Sequence, residues 1–168
     1  MRARRRRFGV ALAALTLAAC ATANEPDGVF RVADRFRVTL PGPGWETTPM
    51  DNVELALRHR DSGAGIFANA ECGEGAAQRD LRLLALQLFV GLRERERLEN
   101  GPATVGGAPA THAVIEAQAS GTDGRVRLEA YVMKDERCVY DLVYVAPPHA
   151  FEAQRPDFRR FVESFAKE

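Results

Sequence analysis

From residue 29 onward the chain is a schedule of hydrophobic periods, and that schedule limits what it can fold into. Phe36, Val38 and Leu40 alternate with Arg35, Arg37 and Thr39, the pattern of a half-buried strand, and Phe30 and Val32 continue the same face upstream. Pro41-Gly42-Pro43-Gly44 stops that run, because such a cluster cannot join a ladder. Val53, Leu55, Leu57 and His59 form a second alternating run. The chain then turns at Arg60-Asp61-Ser62-Gly63-Ala64, and Ile66, Ala68, Ala70 and Cys72 return as its hairpin partner.

After Gly73 the period changes. Leu81, Leu84, Ala85, Leu88 and Leu92 fall at i, i+3, i+4, i+7 and i+11, the stripe of an amphipathic helix capped by Asp80. Leu83, Leu86, Phe89 and Val90 widen the stripe, which predicts a helix packed on more than one side. Arg93-Glu94-Arg95-Glu96-Arg97 returns to period two and predicts an edge strand with three arginines on one face. Charged edges discourage pairing with a neighbouring chain, and a basic row of this kind also suits anionic lipid. Gly101-Pro102 and Val105-Gly106-Gly107 mark a loop.

Three further strands follow in close order. Thr111 to Ala119 is β-capable, and Ser120-Gly121-Thr122-Asp123-Gly124 turns the chain. Val126, Leu128, Ala130 and Val132 then alternate with Arg125, Arg127, Glu129 and Tyr131. After Lys134-Asp135-Glu136 comes a run from Cys138 to Ala146 that is apolar on both faces apart from Asp141, so it belongs at the centre of a sheet covered on both sides. Pro147-Pro148 ends it. Pro156 opens a terminal helix carrying Phe158, Phe161, Val162 and Phe165 at i, i+3, i+4 and i+7. Short antiparallel runs with one central and one closing helix predict an α+β domain, a single antiparallel β-sheet flanked by helices, over residues 29–168.

Ahead of this domain lies a different kind of sequence. Five arginines in the first seven residues precede an apolar run from Phe8 to Ala19, a positive n-region and a short h-region in the form of a secretory signal. The run is shorter than the roughly 20 apolar residues a transmembrane helix needs. It ends in Leu17-Ala18-Ala19-Cys20, which resembles the lipobox of bacterial lipoproteins at all four positions. That resemblance implies a signal peptide at 1–19, cleavage between Ala19 and Cys20, and lipid on the Cys20 thiol. The protein is then exported and held to the membrane of the cell envelope by its acyl chains. In the family, Ala21 in place of aspartate goes with sorting to the periplasmic face of the outer membrane if the source is Gram-negative. Arg5-Arg6-Arg7-Phe8 also resembles a twin-arginine signal, so both export routes stay open. The alternative is a plain secretory signal with an incidental cysteine. Residues 20–28 are small and polar and read as a tether, whose nine residues reach about 30 Å when extended.

Removal of 19 from 168 residues leaves 149, a natural length for one domain. It also removes five basic residues, so 18 basic residues stand against 23 acidic ones, a formal charge of −5. A mildly acidic domain of this kind is a poor nucleic-acid binder.

The order of motifs resembles the Mog1/PsbP-like fold, including its bacterial lipoprotein members. The residues that carry the resemblance are Leu40-Pro41 with Gly44-Trp45, the hairpin, the leucine-rich helix, three late strands, and a helix ending Val162-Glu163-Ser164-Phe165. It covers residues 29–168 and implies an α/β/α sandwich with a partner-binding or assembly role. It carries over no catalytic residue.

Candidate chemistry is sparse. Cys72 and Cys138 both sit in predicted strands of an exported protein, where thiols are commonly oxidised, so a disulfide between them is the preferred reading. Two buried free thiols are the alternative, and a redox pair lacks the Cys-x-x-Cys spacing. His59, His112 and His149 are scattered without metal-ligand spacing, and no metal or other cofactor is expected. Asp141 is the one carboxylate in an unusual place, on the predicted central strand, where burial raises a pKa. No Gly-x-Ser-x-Gly context surrounds Ser62, Ser120 or Ser164, and Gly106-Gly107 has no flanking lysine for a phosphate loop. Two functions remain: a non-catalytic domain presenting its surface to an envelope protein or a small apolar ligand, or an envelope enzyme with a site assembled from Asp141, His112 and Tyr131.

Overall fold

The computed structural model describes residues 28–73, 75, 78–119 and 124–168. Ala19, Cys20, the leader and most of the tether lie outside the described residues, as do residues 120–123 of the Asp-Gly turn. The described chain runs β1 (Val29–Val32), β2 (Phe36–Thr39), β3 (Trp45–Thr47), β4 (Leu55–His59), β5 (Gly65–Cys72), α1 (Leu81–Gln87), β6 (Arg93–Val105), β7 (Ala108–Gln118), β8 (Arg125–Lys134), β9 (Cys138–Ala146), α2 (Phe151–Glu163) and β10 (Ala166–Lys167). β3 to β9 make one antiparallel sheet of seven strands in the order β3-β4-β5-β9-β8-β7-β6. α2 packs on one face and α1 on the other, giving the α/β/α layers.

β9 is the middle strand, as its two apolar faces require. Tyr140, Leu142 and Tyr144 join the α2-side core, whereas Val139 packs with Leu84 and Ala85 of α1. The α2-side core is aromatic. Tyr144 stacks on Phe158 at 5.5 Å between centroids and meets Phe151 tilted at 4.9 Å, and Phe36 stacks on Phe165 at 5.8 Å. Such pairs contribute about 0.5–1.5 kcal/mol each beyond their burial.

The sheet is not single. β1, β2 and β10 form a second, three-stranded sheet that closes the α2 side. Phe30 does not extend the β2 strand upstream. The chain reverses around Asp34, at φ +60°, and Phe30 pairs back with Val38, so both still feed the same core. The Ser-Phe ending of α2 ties this layer down. Ser164 Oγ accepts the Thr39 amide at 2.8 Å and donates to the Phe161 carbonyl at 2.7 Å. The Gly-Trp turn has an equally local cause: a Cβ on Gly44, at φ +100°, would stand 2.7 Å from His59 Nε2. The Trp45 indole lies edge-on to His59 and donates to Asp157 of α2 at 2.9 Å.

Five expectations are corrected. α1 is only seven residues long. Beyond Gln87 the chain continues as single turns with Phe89 N–H bonded to Leu86 O and Val90 N–H to Gln87 O. It is packed on one side only, because Leu84, Ala85 and Phe89 face the sheet while Leu83, Leu86 and Val90 face out. Gly101-Pro102 is not a loop but part of β6, tolerated because β6 is an edge strand whose outer side needs no donor. The three arginines do not share a face. Register shifts follow Arg93 and Arg97, with Glu94 at φ +46°, so Arg93 pairs with Gln118 but Arg97 with Ile115, on opposite sides of β7. Finally, Pro156 lies inside α2 rather than at its start. The helix begins at Phe151, whose ring is core, and the carbonyl that Pro156 leaves without a donor belongs to exposed Glu152.

Cys72 and Cys138 are joined by a disulfide across the β5–β9 pair, where they are direct register partners with Cα atoms 4.1 Å apart. The bond closes a loop of sequence separation 66. Reduction is expected to lower the unfolding free energy by about 2–4 kcal/mol, read as a shift of the urea midpoint with and without dithiothreitol.

Candidate functional site

The most concentrated set of interacting charges surrounds Glu129 on β8. Alternation places Glu129, Tyr131 and Met133 on the α2 side, and the side chain of Glu129 is 0% exposed. A carboxylate taken out of water needs donors on both oxygens. Arg155 of α2 supplies Nε to Oε2 at 2.7 Å and Nη2 to Oε1 at 3.3 Å. His112 of β7 lies with Nε2 2.9 Å from Oε1, and the Tyr131 hydroxyl is 3.4 Å from the same atom. Arg159, one turn along α2, approaches to 3.9 Å. Arg155 also donates to Glu99 of β6 at 2.9 Å and lies over the Phe151 ring at 5.4 Å. One guanidinium therefore joins α2, β8 and the edge strand β6.

The electrostatics follow from that geometry. Burial works to raise the Glu129 pKa, but the hydrogen bonds from His112 and Arg155 outweigh it and hold the carboxyl below its ordinary value. Burial pushes the Tyr131 hydroxyl up to about 12, helped by the Glu129 charge, so it keeps its proton at neutral pH. Burial acts to lower the Arg155 pKa, and the bonds to Glu129 and Glu99 more than reverse it. Glu129 is thus an ionised acceptor with both oxygens occupied. The arrangement holds a helix onto a sheet.

Of the residues singled out in the sequence, His112 and Tyr131 do meet, with ring centroids 4.5 Å apart. Asp141 does not join them. It pairs with Val132, which packs on α1, whereas Tyr131 packs on Phe158 of α2. The sheet itself stands between them, so a site built from all three is excluded. Asp141 faces Asn69 across the β5–β9 pair, and burial, with a smaller contribution from Glu71, raises its pKa to about 6 against the pull of Arg79. His59 serves the Trp45 contact. Among the described residues no group of three or more His, Cys, Asp and Glu side chains could hold a metal ion.

Sequence reading missed Glu129 because it sits on the polar side of an alternating strand. The signal was present: Tyr131 and Met133 share that side, so the face is polar only in part, and Arg155 and Arg159 recur at i, i+4 on the helix that covers it.

Concavities open on the surface among the described residues, and two bear on the site. One, of about 630 Å3, is lined by Ala33, Asp34, Arg35, Gly73, Glu136 and Arg137 around the Cys72–Cys138 disulfide. Arg137 donates to the Asp34 carbonyl at 3.0 Å, and Arg35 is paired with Glu54. The other, of about 280 Å3, lies along the outer side of α2 between Glu152, Arg155, Arg159 and Glu163. Both linings mix charged and apolar groups.

This architecture is the PsbP-like α+β fold, a mainly antiparallel sheet with two helices. Cyanobacterial PsbP (CyanoP) from Synechocystis sp. PCC 6803 superposes with a TM-score of 0.61 at 11% identity, over 92% of this chain and 99% of that one. LpqN of Mycobacterium tuberculosis, described as involved in cell envelope biogenesis, superposes with a TM-score of 0.63 at 13% identity, over 84% and 85%. A Pseudomonas aeruginosa protein of unknown function does so at 0.55 and 12% identity, over 83% and 96%. Identities this low establish the fold alone. No family model matches the sequence, and no curated protein matches it.

Replacing Glu129 with alanine takes away the buried partner of Arg155, leaving it only the exposed carboxylates of Glu99 and Glu152, and is expected to cost up to about 3 kcal/mol in chemical denaturation at neutral pH. Because the folded pKa is depressed, the charge contributes stability above the unfolded carboxyl value. That contribution fades as pH falls through the folded one, so the wild-type advantage shrinks in acid. Asp141 has the opposite sign. Its raised pKa favours the folded state below pH about 4, and the benefit is lost as pH rises through about 6. Asp141→Asn should therefore stabilise the protein at pH 8, by up to about 3 kcal/mol, and have little effect at pH 4.

Proposed function

We propose that this chain is a lipid-anchored cell-envelope protein whose α+β domain binds a protein partner without catalysing a reaction. The observation that carries the reading is the Cys72–Cys138 disulfide across the centre of the sheet, a feature of oxidising compartments. It occurs in a fold shared with a protein involved in cell envelope biogenesis. The lipobox-like Leu17-Ala18-Ala19-Cys20 supplies the anchor, outside the described residues, and places the domain outside the cytosol, on the periplasmic face of the outer membrane in a Gram-negative cell. Two or more acyl chains hold a protein stably where one does not. An envelope protein is the favoured partner, since charged side chains such as Arg35, Arg137, Arg155 and Arg159 line the two concavities described above. The saturated hydrogen bonding of Glu129 and the placement of Asp141 across the sheet favour a binding role over proton transfer. Among the described residues no helix is long and apolar enough to cross a membrane.

Metabolic labelling with an alkyne fatty acid tests this directly. The wild-type chain should carry label, begin at Cys20 by mass spectrometry and sediment with membranes. Cys20→Ala should lose the label and the processing. An unlabelled wild-type chain, or a mature start at another residue, would refute the reading.

A further inference from the structure

The outer side of α1 has no covering layer. Leu83 is 61% exposed, Leu86 47% and Val90 77%, and they lie at i, i+3 and i+7 along the helix and the turn that extends it. These three large apolar side chains therefore form one ridge, on the side of the helix away from Leu84, Ala85 and Phe89. Scattered single exposures of this kind are ordinary on a surface, but a ridge of them is not.

The charged side chains beside the ridge that have no ionic partner among the described residues are all basic. Arg82 adjoins Leu83 and is exposed. Arg97 points to the α1 side of the sheet, because its register partner Ile115 packs under Phe89. Arg95 reaches back to the Phe89 carbonyl at 3.4 Å, at the end of the same ridge. No carboxylate partners Arg82, Arg95 or Arg97 among the described residues. The nearby acids are engaged elsewhere. Asp80 accepts the Arg82 and Leu83 amides as the helix cap, Glu94 lies 3.7 Å from Arg125, and Glu96 pairs with Glu116 on the opposite face of the sheet. A basic, apolar patch thus stands on a domain whose mature formal charge is −5.

We infer that the ridge Leu83–Leu86–Val90, with Arg82, Arg95 and Arg97 beside it, lies against the surface of an anionic phospholipid bilayer. This rests on the reading of the chain as lipid-anchored. Guanidinium groups pair with lipid phosphates while the apolar side chains enter the headgroup boundary, the division of labour of an interfacial helix. The tether length allows it. Nine residues from Cys20 to Gly28 span about 30 Å at most, comparable with the three layers of the domain at about 10 Å each. The chain can therefore leave the membrane, pass the edge of the sandwich and still set its α1 side down on the bilayer. The consequence is a defined orientation: α1 faces lipid, and the α2 side with both the small sheet and the Glu129 cluster faces away, toward a partner.

The test is side-chain oxidative footprinting of the acylated full-length mature protein. It is reconstituted in vesicles of phosphatidylethanolamine and phosphatidylglycerol (3:1) and, separately, in phosphatidylcholine alone, with the acyl mass on the N-terminal peptide measured in each sample. Oxidation of Leu83, Leu86 and Val90 should fall at least threefold in the anionic vesicles relative to the neutral ones, with Met50 unchanged. Arg82→Gln/Arg95→Gln/Arg97→Gln, all at exposed positions, should keep the circular dichroism spectrum and the acyl mass but lose that protection. Acylated protein with equal oxidation in both vesicles overturns the inference and leaves the anchor standing. Protection that disappears as protein is diluted per vesicle overturns it in favour of a second copy of the chain. Absence of the acyl mass sinks both readings.

Discussion

Strand β9 has three strands of the sheet on either side of it, α2 over one face and α1 over part of the other, so most of its side chains are shut off from water. Everything else in the domain is arranged around that enclosure. Its α2 side is filled by Tyr140, Leu142 and Tyr144 against Phe151, Phe158 and the small sheet, and its α1 side by Val139 and neighbouring valines. The phenol groups are the difficulty, since a buried hydroxyl needs a partner. Tyr144 donates to the Phe151 carbonyl at 2.8 Å and Tyr140 to Asp135 at 2.8 Å. Asp135 in turn receives the amides of Arg137 and Cys138, so the turn entering β9 and the ring of Tyr140 are fixed by one carboxylate. The disulfide then fastens the start of β9 to the end of β5.

Glu129 shows the cost of closing the second layer. Hydrophobic contact alone would leave α2 free to slide along an aromatic surface, because dispersion has little directional preference. The fork of Arg155, with two bonds to Glu129 and one to Glu99, sets both the position and the rotation of the helix. Breaking such a buried pair is expensive even though forming it gains little net energy. Its contribution is to register, and it is the reason Phe151, Phe158 and Phe161 meet the small sheet in a single arrangement.

The two helix layers are unequal, and that asymmetry gives the molecule its sidedness. α2 is thirteen residues long, carries four buried side chains and is sealed at its end by Ser164 and Phe165. α1 is seven residues, contributes Leu84 and Ala85, and leaves its leucine ridge uncovered. A fold that needed α1 only for its core would have had no reason to make both sides of so short a helix apolar. The surplus belongs to the environment beyond the domain.

Alternation and its change of period were enough to place β4, β5, β7, β8 and β9, the two helices, and the central position of β9, because a side chain's period follows directly from backbone geometry. The leader-like segment and the lipobox-like motif ending at Cys20 are likewise linear features, read from residue order alone. What alternation cannot say is which face of a strand will be covered, and by what. Glu129 looked solvent-facing until α2 lay across it, and Asp141 and Tyr131 looked like neighbours until the sheet came between them. Leu83, Leu86 and Val90 widened the apolar stripe of the helix and so implied packing on a second side, yet they lie at the surface. In each case the deciding quantity was the placement of a second element, distant in the chain, and burial and charge pairing exist only once that element has arrived.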